Sequence, residues 1–412
     1  MTNPVLALIP SGYKTNKVYS VLPVNGDGDF TYSRYGNASR VNSGGYLETV
    51  GTDIPRLNWE GNCPSLLLEP QRTNVQRRSE EFNDATWTKT RTTVTSNQIN
   101  SPDGTLSADK LECNQTTGSG MNINSSSNIS SGATVVLSIF AKKGNARYCN
   151  LGLLNNGYSQ YSRIFFDLQE GLSFTPQTVG TEIILLDNKI EPFANGWYRI
   201  SITCQTSGNT TVRPFIYGTT GDGTFSVVNG DFNYFWGAQL EQSFFITSYI
   251  KTTSSVSTRV VDICKNGGDA ELFDIKEGTF FVDVTPFKVG SNHRITLSDG
   301  TTDEEIIFYF LANNTGITVV SEHNGSIEFS HNENITFDTR NKIALTFKNN
   351  EFKCYVNGNL VSTSLTGTIS ENLSDLTFAG HTGTFNYFEG KVYDTRVYNR
   401  ILTETEAKEL TT

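Results

Sequence analysis

The chain has 412 residues, a formal net charge of −10 and a hydrophobic content of 36%. This length exceeds the size at which a single core keeps growing, so we expect two or three domains. The acidic balance repels phosphate backbones and disfavours nucleic acid as a partner. No apolar run approaches the roughly 18 residues that cross a bilayer, so we expect no membrane insertion.

The composition is typical of short β-strands joined by tight turns, because the chain has 26 Phe, 17 Tyr and 36 Gly but only 2 Met. Its six cysteines lack the close spacing of metal or redox motifs, which predicts free thiols used as small buried residues. We therefore expect an all-β fold. It would consist of two antiparallel β-sandwiches (jelly rolls) behind an irregular N-terminal arm, with one short C-terminal helix.

Residues 1–75 are predicted to form the arm, with only a few strands. The segment Val18–Val24 is rich in β-formers and ends at the turn sequence Asn25–Asp29. The arm closes with Pro55–Asn74, in which a short apolar run, Leu66–Leu68, lies between prolines.

Residues 76–262 are predicted to form the first sandwich. In Trp197–Cys204, apolar and more polar residues alternate, which indicates one buried and one solvated face. Pro214 interrupts its segment and predicts an edge or bulged strand. The predicted strands are Val135–Lys142, Ser162–Leu168, Ile183–Leu186, Trp197–Cys204, Val212–Tyr217 and Asn233–Glu241.

Residues 263–412 are predicted to form the second sandwich. Asn357-Gly358 is a strong hairpin signal between two of its strands. Thr403 and Glu406 have capping-box spacing, which predicts a helix over Glu404–Leu410. The predicted strands are Thr279–Val284, Ile306–Phe310, Ile317–Val320, Lys342–Phe347, Phe352–Val356, Asp375–Gly380 and Gly390–Tyr398.

Aromatic and amide side chains are the candidates for ligand contact. Tyr148, Tyr158 and Tyr161 flank the loop that contains Asn155 and Asn156, and amides beside aromatic rings suit a sugar. The alternative is that they are ordinary aromatics on a sheet surface.

Trp87 is a further candidate, because its ring could stack on a sugar. Trp197 and Trp236 invite the same interpretation, with a role in the core as the alternative.

No catalytic residue is predicted. The densest acidic run, Asp303-Glu304-Glu305, follows the turn Asp299-Gly300 and is interpreted as a solvated loop. The sequence shows neither a nucleophile elbow nor a glycine-rich phosphate loop.

Several of these segments together resemble a family of bacteriophage virion appendage proteins, the tail-fibre and head-fibre subunits that carry a carbohydrate-binding-module-like jelly roll. The resemblance lies in an ordered set of motifs, of which any one alone is weak. The matching motifs are Leu67–Asn74, Pro102–Thr105, Asn195–Arg199, Trp236–Glu241 and Thr247–Ile250. The order of motifs from Tyr355 to the C-terminal helix is similar to that of concanavalin-like, laminin-G-like sandwiches.

The resemblance implies a non-enzymatic virion protein, made in the host cytoplasm, whose residues 1–75 dock on other virion proteins. Residues 76–262 would be the carbohydrate-binding-module-like jelly roll and residues 263–412 the laminin-G-like sandwich, and these would bind a host-surface glycan. Such proteins are often homo-oligomers, including trimers. No cofactor is implied, although both kinds of sandwich often hold a structural calcium ion. The alternatives are a polysaccharide depolymerase tailspike and a purely structural capsid cement protein.

Overall fold

The computed structural model describes residues 3–115, 121–219 and 228–412. The first strands are β1 (Leu6–Leu8), β2 (Tyr13–Lys14), β3 (Lys17–Val18), β4 (Phe30–Ser33), β5 (Ala38–Val41), β6 (Leu47–Val50), β7 (Leu57–Glu60), β8 (Cys63–Leu68) and β9 (Arg72–Asn74).

The middle of the chain is also built of strands. They are β10 (Thr88–Thr90), β11 (Thr92–Asn100), β12 (Leu106–Cys113), β13 (Met121–Asn124), β14 (Ser127–Asn128), β15 (Thr134–Lys143), β16 (Tyr148–Asn155), β17 (Tyr161–Asp167), β18 (Leu172–Ser173), β19 (Gln177–Val179), β20 (Ile183–Phe193), β21 (Trp197–Thr206), β22 (Thr211–Thr219), β23 (Phe232–Gln242) and β24 (Ser257–Arg259). A 3-10 turn, Ala194–Gly196, precedes β21.

The last part of the chain contains more strands and then a helix. The strands are β25 (Ile263–Lys265), β26 (Gly278–Pro286), β27 (His293–Ser298), β28 (Glu305–Phe310), β29 (Gly316–His323), β30 (Ser326–Asn334), β31 (Asn341–Lys348), β32 (Glu351–Val356), β33 (Asn359–Ser364), β34 (Asp375–Thr377) and β35 (Gly390–Tyr398). The helix is α1 (Glu404–Thr411). The predicted all-β class with one short C-terminal helix is confirmed.

The chain divides into two compact units whose boundaries differ from the expected three domains. Unit 1 comprises the chain up to Ser43, Val50–Gln71 and Val260–Thr412, and unit 2 comprises Gly44–Thr49 and Arg72–Arg259. Most of the expected arm therefore folds with the last third of the chain. The physical reason is backbone pairing, since β1 and β8 both pair with β35, and β4 pairs with β25.

Unit 1 contains two large antiparallel sheets. One has the strand order β33-β32-β31-β26-β35-β8-β7, with β1 also on β35, and the other has the order β30-β29-β28-β27-β34. Aromatic residues from both sheets meet in its core, as the stacked rings of Phe280 and Phe308 show with centroids 4.7 Å apart.

The C-terminal helix packs on unit 1 through a small apolar cluster that includes Phe281, Tyr355 and Ala407. The predicted capping box is confirmed: the Thr403 side chain accepts from the Glu406 N–H, and the Glu406 carboxylate accepts from the Thr403 N–H. Asn357 and Gly358 both have positive φ, which confirms the predicted hairpin turn between β32 and β33.

Unit 2 is also a sandwich of two antiparallel sheets. Their strand orders are β10-β13-β22-β16-β17-β18, with β14 on β22 and β19 on β17, and β11-β12-β23-β15-β21-β20. The prediction that Pro214 marks an edge or bulged strand is wrong, because β22 lies between β13 and β16. Pro214 falls between the residues that pair with β14 and those that pair with β13, so its missing N–H is tolerated inside the sheet.

All six cysteines are free thiols, and all except the exposed Cys63 are buried. Burial raises the pKa of Cys204 to about 12, which keeps this thiol protonated. Within the described part of the chain, no helix has both the length and the apolar character needed to cross a membrane.

Candidate functional site

The outer face of one sheet of unit 2 brings together most of the predicted ligand residues. Strand β16 alternates, with Cys149, Leu151 and Leu153 in the core. The outer-face residues of four neighbouring strands are Asn122 and Asn124 on β13, Arg213, Phe215 and Tyr217 on β22, Tyr148, Asn150 and Gly152 on β16, and Tyr161, Arg163 and Phe165 on β17. We call these residues, with Arg147 and the loop 155–160, the arginine–tyrosine face.

Each of the three predicted tyrosines has a guanidinium group over its ring. The carbon Cζ of Arg147 lies 5.2 Å from the ring centroid of Tyr148. Arg163 lies 4.5 Å from the ring of Tyr161, and Arg213 lies 4.5 Å from the ring of Tyr158. One side of each tyrosine ring is therefore covered by the positively charged guanidinium group of an arginine. Aromatic and charged groups thus alternate on this face.

Hydrogen bonds fix two of these guanidinium groups. Arg163 donates from Nε and Nη2 to Oε1 of Gln177 at 3.0 and 2.8 Å. It also hydrogen-bonds the phenol of Tyr217, whose pKa burial raises to about 12, so that this phenol is neutral near pH 7. Arg213 donates from Nη2 to Oδ1 of Asn156 at 2.9 Å. Both side chains are thus held in one geometry before any ligand binds.

The glycine at position 152 allows a close approach across the middle of this face. A Cβ added at Gly152 would lie 2.9 Å from the Cβ of Arg163. Any other residue would force the two strands or the Arg163 side chain to shift.

Tyr158 sits at the tip of the loop in an unusual backbone conformation. Its φ is +59°, a left-handed value that bulky side chains rarely adopt, and half of its surface is exposed (50%). Its hydroxyl donates to Oδ1 of Asn124 at 3.3 Å. The surrounding contacts hold this aromatic ring at the surface despite the backbone strain.

Asn155 organises this loop and does not present its amide to solvent, contrary to its prediction as a ligand contact. It is buried, and its Oδ1 accepts from the N–H groups of Ser159 and Gln160 at 3.0 and 3.2 Å. Its Nδ2 donates to the Ser159 hydroxyl and to Glu182. These bonds use both polar atoms of the Asn155 amide within the loop. The neighbouring Asn156 is exposed.

Trp87 cannot stack on a sugar in this structure, which corrects its prediction as a ligand residue. It is 1% exposed, its ring packs edge-on against Phe82 at 5.1 Å, and its Nε1 donates to the carbonyl of Arg78 at 3.0 Å. Trp197 and Trp236 are also buried in an apolar cluster, in agreement with the alternative of a core role.

Sequence reasoning missed Asn150, Arg163 and Arg213. Asn150 is fully buried beneath its neighbours, and neither its Nδ2 nor its Oδ1 has a hydrogen-bond partner among the described residues. The available signal was the alternation of apolar and polar residues along 148–153, which places Asn150 and Gly152 opposite the core side. The guanidinium groups could have been found by the same alternation along β17 and β22.

A second polar cluster lies on the sheet β30-β29-β28-β27-β34 of unit 1. The prediction of a solvated loop at 303–305 holds only for Asp303, because Glu304 and Glu305 are both buried. Arg294 lies 3.8 Å from Oε2 of Glu305, and His381 lies 3.7 Å from Oε1. Burial raises the pKa of Glu305 to about 7.

No metal site emerges from the described residues, in which no group of three or more His, Cys, Asp or Glu side chains is placed to hold an ion. Asp167, a carboxylate beside the arginine–tyrosine face, is occupied by Arg147, whose Nε and Nη2 donate to its Oδ2 at 2.9 and 2.6 Å. Although burial opposes it, this pairing and two main-chain N–H donors lower the pKa of Asp167.

Comparisons with known proteins agree with the lectin-like architecture of the last third of the chain. Residues 266–408, within unit 1, match the family model described as the concanavalin A-like lectin/glucanases superfamily (Laminin_G_3). The predicted concanavalin-like domain is therefore confirmed. No curated protein sequence matches the chain.

Solved structures show only weak likeness. The CBM40 of the Ruminococcus gnavus IT-sialidase bound to α2,3 sialyllactose is 17% identical, with 36% of this chain and 94% of that chain covered and a TM-score of 0.31. The Caenorhabditis elegans galectin LEC-6 is 12% identical, with 30% and 84% covered and a TM-score of 0.24. A SAP-like pentraxin from Limulus polyphemus is 13% identical, with 34% and 70% covered and a TM-score of 0.27. Scores this low carry no argument about ligands.

Proposed function

We propose that this protein binds a glycan, without catalysis, on the arginine–tyrosine face of unit 2. The observation that carries the proposal is the side-by-side arrangement of tyrosine rings, guanidinium groups and amides on one sheet face. A sugar ring has an apolar side that suits aromatic contact and a rim of hydroxyl groups that needs donors and acceptors. The accessible part of this face supplies both kinds of contact. The rings come from Tyr148, Tyr158 and Tyr161, and the polar groups come from Asn156, Arg163 and Arg213.

The face is also rigid, which favours binding. Tyr148, Tyr161 and Asn150 lie on strands, and the two hydrogen-bonded arginines are fixed by their neighbours. A ligand that meets ordered side chains avoids much of the entropic cost of immobilising them.

The biological setting that we propose is attachment of a phage particle to a host surface. The support is the ordered set of sequence motifs that resembles virion appendage proteins. Weak binding at each face would then be reinforced by many copies acting together, because linked sites raise the effective concentration of the second partner. Docking on other virion proteins and assembly into homo-oligomers, such as trimers, belong to this proposal.

The test is a glycan array probed with the full chain and with two tyrosine variants. Tyr158→Ala should reduce binding about tenfold or more, since one aromatic contact contributes about 1 to 2 kcal/mol. Tyr35→Ala is the matched control, because Tyr35 is 82% exposed but lies in unit 1. Equal binding by Tyr158→Ala and the native chain would contradict the proposed face, and no binding to any glycan would contradict the function.

One observation favours a second candidate function, hydrolysis of a polysaccharide. Glu305 lies directly opposite Glu322 on the neighbouring strand, and a carboxyl group with a pKa of about 7 can act as a general acid. Glu305 is only 2% exposed, which puts it out of reach of a substrate and ranks this function second. Release of reducing ends by the native chain, abolished in Glu305→Gln, would establish it.

A further inference from the structure

We infer that the glycan bound by the arginine–tyrosine face is linear, and that several consecutive sugar units lie along the strands from Tyr158 and Tyr161 to Tyr148. This inference rests on the proposed function and specifies its ligand class. The three tyrosines form two groups at opposite ends of the face. Tyr158 and Tyr161 lie where β16 ends and β17 begins, and Tyr148 lies where β16 begins.

The register of β16 and β17 gives the distance between the two ends. Tyr148 is paired with Asp167 at one end of the ladder, and Leu154 is paired with Tyr161 at the other. The two pairs are six positions apart on β16, from 148 to 154. At about 3.4 Å per residue, this separation is about 20 Å. A single sugar ring is shorter than that, so one ring contacts only one end.

Each end of the face offers an aromatic ring beside polar groups. At one end, Tyr158 is half exposed and the neighbouring Asn156 is exposed. At the other end, the partly exposed ring of Tyr148 packs edge-on with Phe174, with centroids 5.7 Å apart. The apolar side of a sugar suits such rings, and its hydroxyl groups suit their polar neighbours. Each end is therefore a stacking position of its own.

The middle of the face is polar, and β16 projects no side chain there. Asn150 is fully buried, and Gly152 has no side chain. Arg163 on β17 hydrogen-bonds Tyr217 on β22, and because β16 lies between these two strands, the bond spans it. This bridge gives a polar surface between the two stacking positions. Such a surface suits the hydroxyl rims of the sugars that connect the two stacked units.

Two stacking positions on one rigid face make the affinity depend on ligand length. Once one sugar unit is stacked on Tyr158, another unit of the same chain is held near Tyr148 at a high effective concentration. A chain too short to span both positions gains contact at only one of them. Binding should therefore strengthen as the oligosaccharide grows, and it should level off once the chain reaches both ends.

The test measures how affinity for the full chain changes with ligand length. The probes are oligosaccharide series from cellulose, chitin, starch and polygalacturonate, each running from the single sugar to chains that span both ends. A glycan array adds branched and terminal epitopes. We expect at least one linear series in which the longest member binds about a hundredfold or more tightly than the single sugar.

Variants at the Tyr148 end locate the effect. Tyr148→Ala should reduce binding of the longest member about tenfold or more and remove much of the advantage of length. Tyr148→Phe keeps the ring and should keep that advantage. Thermal unfolding of both variants shows whether they retain the native fold. Tyr35→Ala is the control, an exposed tyrosine of unit 1.

The outcomes separate the two proposals. Equal affinity for short and long members of every series that binds, or binding of branched and terminal epitopes alone, would overturn the linear ligand and leave glycan binding intact. An advantage of length that survives in a natively folded Tyr148→Ala would overturn the course along the strands. Binding to no glycan of any kind would overturn both proposals.

Discussion

Each unit contains a buried polar cluster that joins distant parts of the sequence, but one cluster is charged and the other is neutral. In unit 1, Asp262 accepts hydrogen bonds from Tyr32, Arg34, Arg56 and the N–H of Glu69. These contacts connect residues up to 230 positions apart. They explain why the first part of the chain folds with the last.

In unit 2 the corresponding role belongs to an amide. Nδ2 of Asn74 donates to the carbonyls of Ala238 and Ile250 at 3.1 and 2.8 Å. Its Oδ1 accepts from the N–H groups of Gln76 and Leu240 at 3.1 and 3.0 Å. All four hydrogen-bonding positions of one side chain are used, with no charge to desolvate.

One short motif contributes a residue to each cluster, and the two residues stabilise the fold for different physical reasons. The motif Leu67–Asn74 supplies Glu69, which pairs with Arg56, to the charged cluster and Asn74 to the neutral one. Buried charges are stable only while every partner is present, because each isolated ion costs several kcal/mol of desolvation. A neutral amide that loses its partners costs less. The two clusters should therefore differ in their sensitivity to substitution.

The largest expected effect is that of Asp262→Ala. It leaves the guanidinium groups of Arg34 and Arg56 buried without their shared carboxylate, which should lower the free energy of unfolding of unit 1 by about 3 to 5 kcal/mol. Coulombic attraction to Asp262 and Glu69 outweighs burial and raises the pKa of Arg56, so this arginine stays charged.

Urea denaturation and hydrogen exchange, read from peptides of unit 1 and of unit 2 separately, would measure this change. Asp274→Ala is the control, because Asp274 is exposed, and its effect should stay within about 0.5 kcal/mol. A loss no larger than that of the control would show that the ion cluster contributes nothing to stability.

The second prediction concerns Asn74→Ala in unit 2. It deprives two main-chain carbonyls and two main-chain N–H groups of their partner. Water that enters the space left by the amide can bond part of these neutral groups, so we expect a loss of about 2 to 3 kcal/mol, less than that of Asp262→Ala. Hydrogen exchange should accelerate in peptides of unit 2. If Asn74→Ala proved as costly as Asp262→Ala, the distinction between charged and neutral clusters would be lost.

The sequence predicted the fold class well, because it depends on local signals. The turn residues Asn357 and Gly358 and the capping box at Thr403 are signals that act over a few positions, and these predictions were confirmed. The alternation in Trp197–Cys204 did not mark a solvated face, because Arg199, Ser201 and Thr203 are buried. The same signals could not reveal that Tyr32 and Arg34 bind Asp262, since nothing local encodes a partner more than 200 positions away. The arm was therefore expected to be separate and irregular.

The candidate site was predictable only in part, for a related reason. Tyr148, Tyr158 and Tyr161 were found as aromatics near a loop, and the structure places them on one face. Asn155 and Trp87 were mistaken for surface residues because amide and indole groups serve equally well inside a protein when they are hydrogen-bonded. The residue type alone therefore does not show whether such a side chain lies at the surface or in the core.

The third prediction is a pH dependence that unit 1 should show. Burial raises the pKa of Glu305 from its ordinary 4.5 to about 7, against the opposing effect of Arg294, with Glu322 and Asp299 adding to the rise. The folded state therefore holds this proton more tightly than the unfolded state. Stability should fall as the pH rises between these two values. Asp375, with a pKa raised by burial to about 6, adds to the same trend.

Glu305→Gln should reduce this pH dependence and stabilise unit 1 by about 1 to 2 kcal/mol at pH 8, because it removes the burial cost of the carboxylate but weakens the contact with Arg294. Urea midpoints measured at pH 5 and pH 8 would test it. Glu304→Gln is the contrasting variant, since Glu304 accepts from the N–H groups of Asn324 and Glu371 and its loss should destabilise at both pH values. A native chain equally stable at pH 5 and pH 8 would contradict the assignment.

The smallest expected effect on stability comes from replacing Tyr158 on the arginine–tyrosine face. Whether stability rises or falls distinguishes a role in ligand binding from a role in the fold. Tyr158 has a φ of +59°, a conformation that asparagine adopts more readily than a bulky aromatic residue. Tyr158→Asn should therefore leave unit 2 as stable as before or more stable by up to about 1 kcal/mol, while glycan binding falls about tenfold. Thermal unfolding and array binding of the same preparation would measure both. A residue that serves only the fold makes the protein less stable when it is replaced. If Tyr158→Asn makes unit 2 more stable but weakens glycan binding, the strained backbone at Tyr158 serves ligand contact. A loss of stability with unchanged binding would assign Tyr158 to the fold.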